Sequence, residues 1–82
     1  MRPSLSEIAS IIRRQLRDDD LEITASAYFA ALPGWDEMDL MRVVVEVECR
    51  FDVHFNLTEF DRLETVGDLL RAAVVKQALE PA

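Results

Sequence analysis

Eighty-two residues carrying sixteen acidic and nine basic side chains give a formal charge of −7 at neutral pH. That balance argues against a nucleic-acid partner, because gripping a polyphosphate depends on clustered Lys and Arg, and it favours a basic protein surface instead. A lone cysteine, Cys49, excludes an internal disulfide and any multi-cysteine zinc site.

No signal peptide and no membrane span are legible, so the expectation is one cytoplasmic, monomeric domain over residues 1–82. A chain this short buries only about 60–65 % of its unfolded surface, which predicts modest stability. Ser4-Leu5-Ser6-Glu7 has capping-box spacing, and Leu5, Ile8, Ile12 and Leu16 recur on one face, which predicts a first helix over about 5–17. Asp18-Asp19-Asp20 would face the negative end of that helix's dipole and reads as the start of a solvated loop. It does not read as a metal site, since calcium takes about six to eight oxygens. The connection runs over about 18–35, with Leu21, Ile23, Tyr28, Phe29 and Leu32 as its core-covering anchors and a short helical turn possible among its alanines.

Pro33-Gly34 is a turn pair, and Asp36 follows as a helix N-cap with Glu37 and Asp39 in the first turn. Each first-turn carboxylate contributes about 0.3–1 kcal/mol at the positive end of the dipole. The second helix, over about 37–50, carries an inner stripe of Leu40, Val43, Val44, Val47 and Phe51. Met38, Met41 and Val45 widen the stripe, so most of this helix is expected to be buried. Its valines disfavour a helix intrinsically, and burial at about 1.5–3 kcal/mol per side chain must hold it. Val43-Val44-Val45 does not alternate, which argues against a strand.

Asp52 to Asn56 reads as a connector and Leu57 to Leu63 as the site of a short helix with Phe60 and Leu63 inward. Thr65 caps the last helix with Asp68 in a capping-box variant, and Val66, Leu69, Leu70, Ala73 and Val74 form its inner face. Gln77 to Ala82 is expected to fray, Pro81 being unable to extend a helix. The fold class is therefore all-α, a small four-helix bundle of three main helices and one short one.

Candidates for chemistry are sparse. His54 has no serine or cysteine beside it in sequence and reads as a connector residue. Cys49 reads as a half-buried small hydrophobe rather than a nucleophile, with the acids Glu46, Glu48 and Asp52 nearby. Capping explains Asp36, Glu37 and Asp39 without an acid–base pair or a magnesium site, and no catalytic residue or metal is expected.

Gly34-Trp35-Asp36-x-Met38-Asp39, then Glu48-Cys49-Arg50-Phe51-Asp52-Val53, then Leu63-Glu64-Thr65-Val66-Gly67-Asp68-Leu69 resemble the acyl carrier proteins and related carrier domains. The likeness spans about Leu32 to Val75. It implies a carrier bundle serving fatty-acid, polyketide or related biosynthesis, with a phosphopantetheine arm on the serine that follows the Asp. Here that residue is Glu37, so no phosphopantetheine attachment and no cofactor are expected. The resemblance further implies docking on basic patches of a biosynthetic enzyme, through Asp36, Glu37, Met38, Arg42, Glu46, Glu48, Glu59 and Asp61. Arg42 reverses the charge usual at its position. The alternative is a working carrier loaded at another residue, although Ser4, Ser6, Ser10 and Ser26 lack the family's setting.

Overall fold

The computed structural model describes residues 2–79. Four α-helices follow one another: α1 (Leu5–Leu16), α2 (Glu37–Phe51), α3 (Leu57–Asp61) and α4 (Val66–Leu79), with a 3₁₀ turn at Phe29–Ala31 inside the long loop. α1 packs on both α2 and α4, and α2 meets α4. The core they enclose centres on Ile8, Ile12, Val43, Val47, Val53, Val66 and Leu69, all fully buried. The expected all-α bundle with a long loop after the first helix is the observed fold.

Each helix starts where its cap says. The Ser4 hydroxyl accepts the Glu7 N–H at 3.2 Å. The Asn56 side chain and Glu59 cap α3 reciprocally, each accepting the other's backbone N–H. At α4, Thr65 Oγ1 accepts the Asp68 N–H at 3.1 Å while Asp68 Oδ2 accepts the N–H groups of Thr65 and Glu64. Helix ends are less regular. α1 stops at Leu16, one residue short of the expected end, because Arg17 turns left-handed at φ 56°. The Asp18 N–H then reaches back to the Arg13 carbonyl at 3.0 Å, as in a Schellman motif. Asp52 does the same after α2, also at φ 56°, and seats Val53 in the core.

The loop is held by backbone hydrogen bonds that the sequence pattern does not display. The N–H groups of Val66 and Gly67, in the first turn of α4, donate to the carbonyls of Ala27 and Ala25 at 2.9 and 2.7 Å. Phe29 N–H donates to the Glu64 carbonyl at 2.9 Å, and Tyr28 and Thr65 form an isolated antiparallel bridge. These bonds satisfy donors that any helix start leaves orphaned. They also explain Gly67, where a Cβ would lie 2.8 Å from the Ala25 carbonyl oxygen.

Several expectations are corrected. Met38, Met41 and Val45 are about half exposed, so α2 buries a narrower face than its composition suggests. The core has room only for the strip of Val43, Val44, Val47 and Phe51, and residues at 38, 41 and 45 rotate past its edge. Tyr28 is exposed rather than a core anchor, whereas Phe29, Ile23 and Leu32 are buried. Val74 faces outward, Cys49 is exposed, and α4 continues through Leu79. The remainder of the expected frayed end, residues 80–82, lies outside the described residues.

Candidate docking site at the start of helix α2

Asp39 builds the entry to α2. The sequence gives it as an exposed first-turn carboxylate, yet it is the buried acid of the core, at 6 % exposure. Its Oδ2 accepts the Asp36 N–H at 2.8 Å and its Oδ1 the Gln15 side-chain amide at 3.0 Å, with the Arg42 guanidinium 3.5 Å away. The Asp36 N–H above all, then Gln15 and Arg42, hold this carboxyl below its ordinary value against the opposing effect of burial. Asp36 Oδ1 in turn accepts the Met38 N–H at 3.2 Å, completing a reciprocal cap. Gly34 supplies the preceding turn at φ +75°. Trp35 is fixed by stacking on buried Phe29, ring centroids 5.1 Å apart.

This frame presents Glu37 as the first residue of α2, exposed, with exposed Met38 beside it. Met38, Met41 and Val45 continue along the outward face towards Leu57 at the start of α3, which is 81 % exposed. Between α2 and α3 a shallow groove of about 140 Å³ runs over Met41, Val45, Phe55 and Leu57.

The acids expected to dock divide into two groups. Asp36, Glu37 and Asp61 are exposed. Three others are engaged inside the chain: Glu46 faces Arg14 at 3.7 Å and Arg50 at 4.0 Å, Glu48 Oε2 accepts the Phe55 N–H at 2.8 Å, and Glu59 meets Lys76 at 2.6 Å. The Asn56 N–H, followed by Lys76, holds the Glu59 carboxyl below its ordinary range. Arg42 keeps much of its side chain exposed beside Asp39. Sequence reading missed Glu64, Trp35 and Leu40 as neighbours of Glu37, and all line one cleft with it. Trp35 and Leu40 lie within three residues of Glu37, whereas Glu64 comes from the corner before α4, and no local spacing could have revealed it.

His54 and Cys49 are both exposed, and among the described residues no hydrogen bond holds the side chain of either. Among those residues no group of three or more His, Cys, Asp or Glu could hold a metal ion, and no helix is long and apolar enough to cross a membrane.

A small helical bundle whose long loop delivers a capped second helix, with exposed apolar residues behind its first turn, is the arrangement that the resemblance to carrier domains implies. The family model described as the phosphopantetheine attachment site matches residues 6–73, and the chain belongs to that family. It is 31 % identical over 65 residues to an acyl carrier protein of Thermotoga maritima, covering 79 % of this chain and 80 % of the relative. To an acyl carrier protein of an Exiguobacterium species it is 30 % identical over 66 residues, covering 80 % and 84 %. The solution structure of a holo acyl carrier protein from Geobacter metallireducens superposes with a TM-score of 0.83 at 29 % identity, over 95 % of this chain and 92 % of that one. The chain is thus a domain of the acyl-carrier type, a family of carriers rather than enzymes.

Proposed function

We propose that this chain is a carrier-fold module of a fatty-acid, polyketide or related pathway that bears no phosphopantetheine and acts by docking on the basic surface of a biosynthetic enzyme. It does so as a single cytoplasmic domain and a monomer. One observation carries the reading: the first residue of α2, where the family resemblance puts the acceptor serine, is exposed Glu37. A serine hydroxyl forms a stable phosphodiester, whereas a carboxylate at the same place would form an acyl phosphate, a mixed anhydride that water cleaves. The residues present therefore do not fit a phosphopantetheine ester.

The serines elsewhere offer poor substitutes. Ser4 caps α1, Ser26 shares a hydrogen bond with Thr24 at 3.2 Å, and Ser6 and Ser10 lie on α1 or at its first turns, away from any Asp-Ser-Leu setting. What supports docking is the exposed set of Asp36, Glu37, Met38 and Asp61, acidic with one apolar contact, on a chain of net charge −7. Glu37 also places a permanent negative charge where a loaded carrier would hold its phosphodiester. Incubation with coenzyme A and a broad-specificity phosphopantetheinyl transferase tests the reading by intact mass. The native chain is expected to gain nothing and Glu37→Ser to gain one phosphopantetheine.

A further inference from the structure

The acids of a chain this negative are not equivalent, since the fold already employs some of them and leaves others unengaged. Asp39, Glu46, Glu48, Glu59 and Asp68 are each held by hydrogen bonds or ion pairs inside the chain. Glu37 and Glu64 are not: neither side chain enters an ion pair or hydrogen bond among the described residues, and both are exposed. Both also line one cleft of about 530 Å³ between the long loop, the start of α2 and the corner from α3 to α4.

The walls of this cleft are aromatic and aliphatic, from Tyr28, Trp35, Phe60 and Leu63, and no basic residue lines it. Trp35 is already rigid against Phe29, so one wall is preformed. Tyr28 stands 57 % exposed at the rim, held by its backbone bridge to Thr65 rather than by burial of its ring. An apolar floor with two unengaged carboxylates repels an anionic head group and welcomes a cation with a flat, weakly hydrated body. Guanidinium fits that description better than ammonium, since it stacks on aromatic faces and forks towards carboxylates. Arg42 sharpens the choice of place. It puts an exposed positive charge on α2 outside the cleft, whose lining carries only acids among its charged residues.

We propose that the cleft receives an arginine side chain of the basic partner, its guanidinium facing Glu37 and Glu64 and its methylene stem lying against the aromatic wall. This deepens, and rests on, the reading of the chain as a docking module with Glu37 free. The test is an amide-shift titration of the ¹⁵N-labelled protein at low salt with the capped tripeptide acetyl-Leu-Arg-Leu-amide, its Gln and Glu counterparts, and decanoate. The Arg peptide is expected to shift Tyr28, Leu40, Phe60, Leu63 and the Trp35 indole, the Gln peptide less, and the Glu peptide not at all. Glu37→Gln and Glu64→Gln, exposed positions whose helix content circular dichroism verifies, each weaken the Arg peptide about two- to fivefold, and salt does the same.

Equal responses to the Arg and Gln peptides would overturn the proposal, as would a double variant of unchanged affinity, no response at millimolar peptide, or a larger response of the same amides to decanoate. Mass analysis after transferase treatment is independent of this titration. A silent cleft therefore leaves the unloaded reading standing, and a modified native chain removes that reading whatever the peptides do.

Discussion

Replacing Asp39 by Asn removes the charge and turns one of its two acceptor oxygens into a donor, which tests the α2 entry at a single residue. Asn keeps an oxygen for the Asp36 N–H, now at 2.8 Å, but sets its amide donor against the Gln15 amide that now donates to Oδ1 at 3.0 Å, and gives up the charge-assisted part of the Asp36 bond, about half of a contribution of roughly 1.5–3 kcal/mol. It also gives up about 0.3–1 kcal/mol from the helix dipole. The partly exposed Arg42 pair adds at most about 0.5 kcal/mol. We expect Asp39→Asn to cost about 1–2 kcal/mol at pH 7, and Asp39→Ala, which deletes the cap, about 2–3 kcal/mol.

The sign of the pH dependence follows from the lowered carboxyl. Asp36, Gln15 and Arg42 favour its charged form, so the folded value lies below the unfolded value of about 3.9. The stabilisation is complete above that unfolded value and drains away as pH falls through the folded one. Urea unfolding followed by far-ultraviolet circular dichroism at pH 7 and about pH 2.5 should therefore show the gap between native protein and Asp39→Asn closing in acid. Asp68 is also held low, by the Thr65 and Glu64 N–H groups, but it is common to both proteins and cancels. A gap under about 0.5 kcal/mol at pH 7, or one that does not change with pH, would refute the reasoning.

Further outcomes follow from single contacts. Gly67→Ala should destabilise by about 1–3 kcal/mol in urea melts, since its Cβ meets the Ala25 carbonyl oxygen at 2.8 Å and must break the loop's bond to α4; a neutral result would refute that tether. Arg17→Gly should stabilise by about 0.5–1 kcal/mol by relieving a left-handed backbone at φ 56°, and a loss of stability there would count against the C-cap geometry. Val47→Ala, at full burial, should cost about 1.5–3 kcal/mol, whereas Val45→Ala on the exposed face should stay within about 0.5 kcal/mol; similar losses at both would contradict the assigned orientation of α2.

The helix starts were legible because each rests on residues three apart: Ser4 with Glu7, Asp36 with Asp39, Thr65 with Asp68. Position along the chain carries that information. What lay hidden depends on residues distant in sequence. The burial of Asp39 needs Gln15 from α1, and the fixing of the loop needs Val66 and Gly67 from α4. The width of the apolar face of α2 misled for a related reason. Composition says which residues could be buried, and the neighbouring helices decide how many are, leaving Met38, Met41 and Val45 outside. The left-handed ends at Arg17 and Asp52 gave no signal because neither residue is a glycine. Of the candidate site, Glu37 could be read from the sequence, but its cleft with Glu64, Trp35 and Phe60 assembles only in the fold.

Whether this carrier fold acts without a covalent arm is decided by intact mass after incubation with coenzyme A and a phosphopantetheinyl transferase. With Glu37 at the acceptor position the native mass should stay unchanged, and Glu37→Ser under the same conditions should gain one phosphopantetheine. A native chain that gains the same mass would contradict it and return the protein to the ordinary work of an acyl carrier.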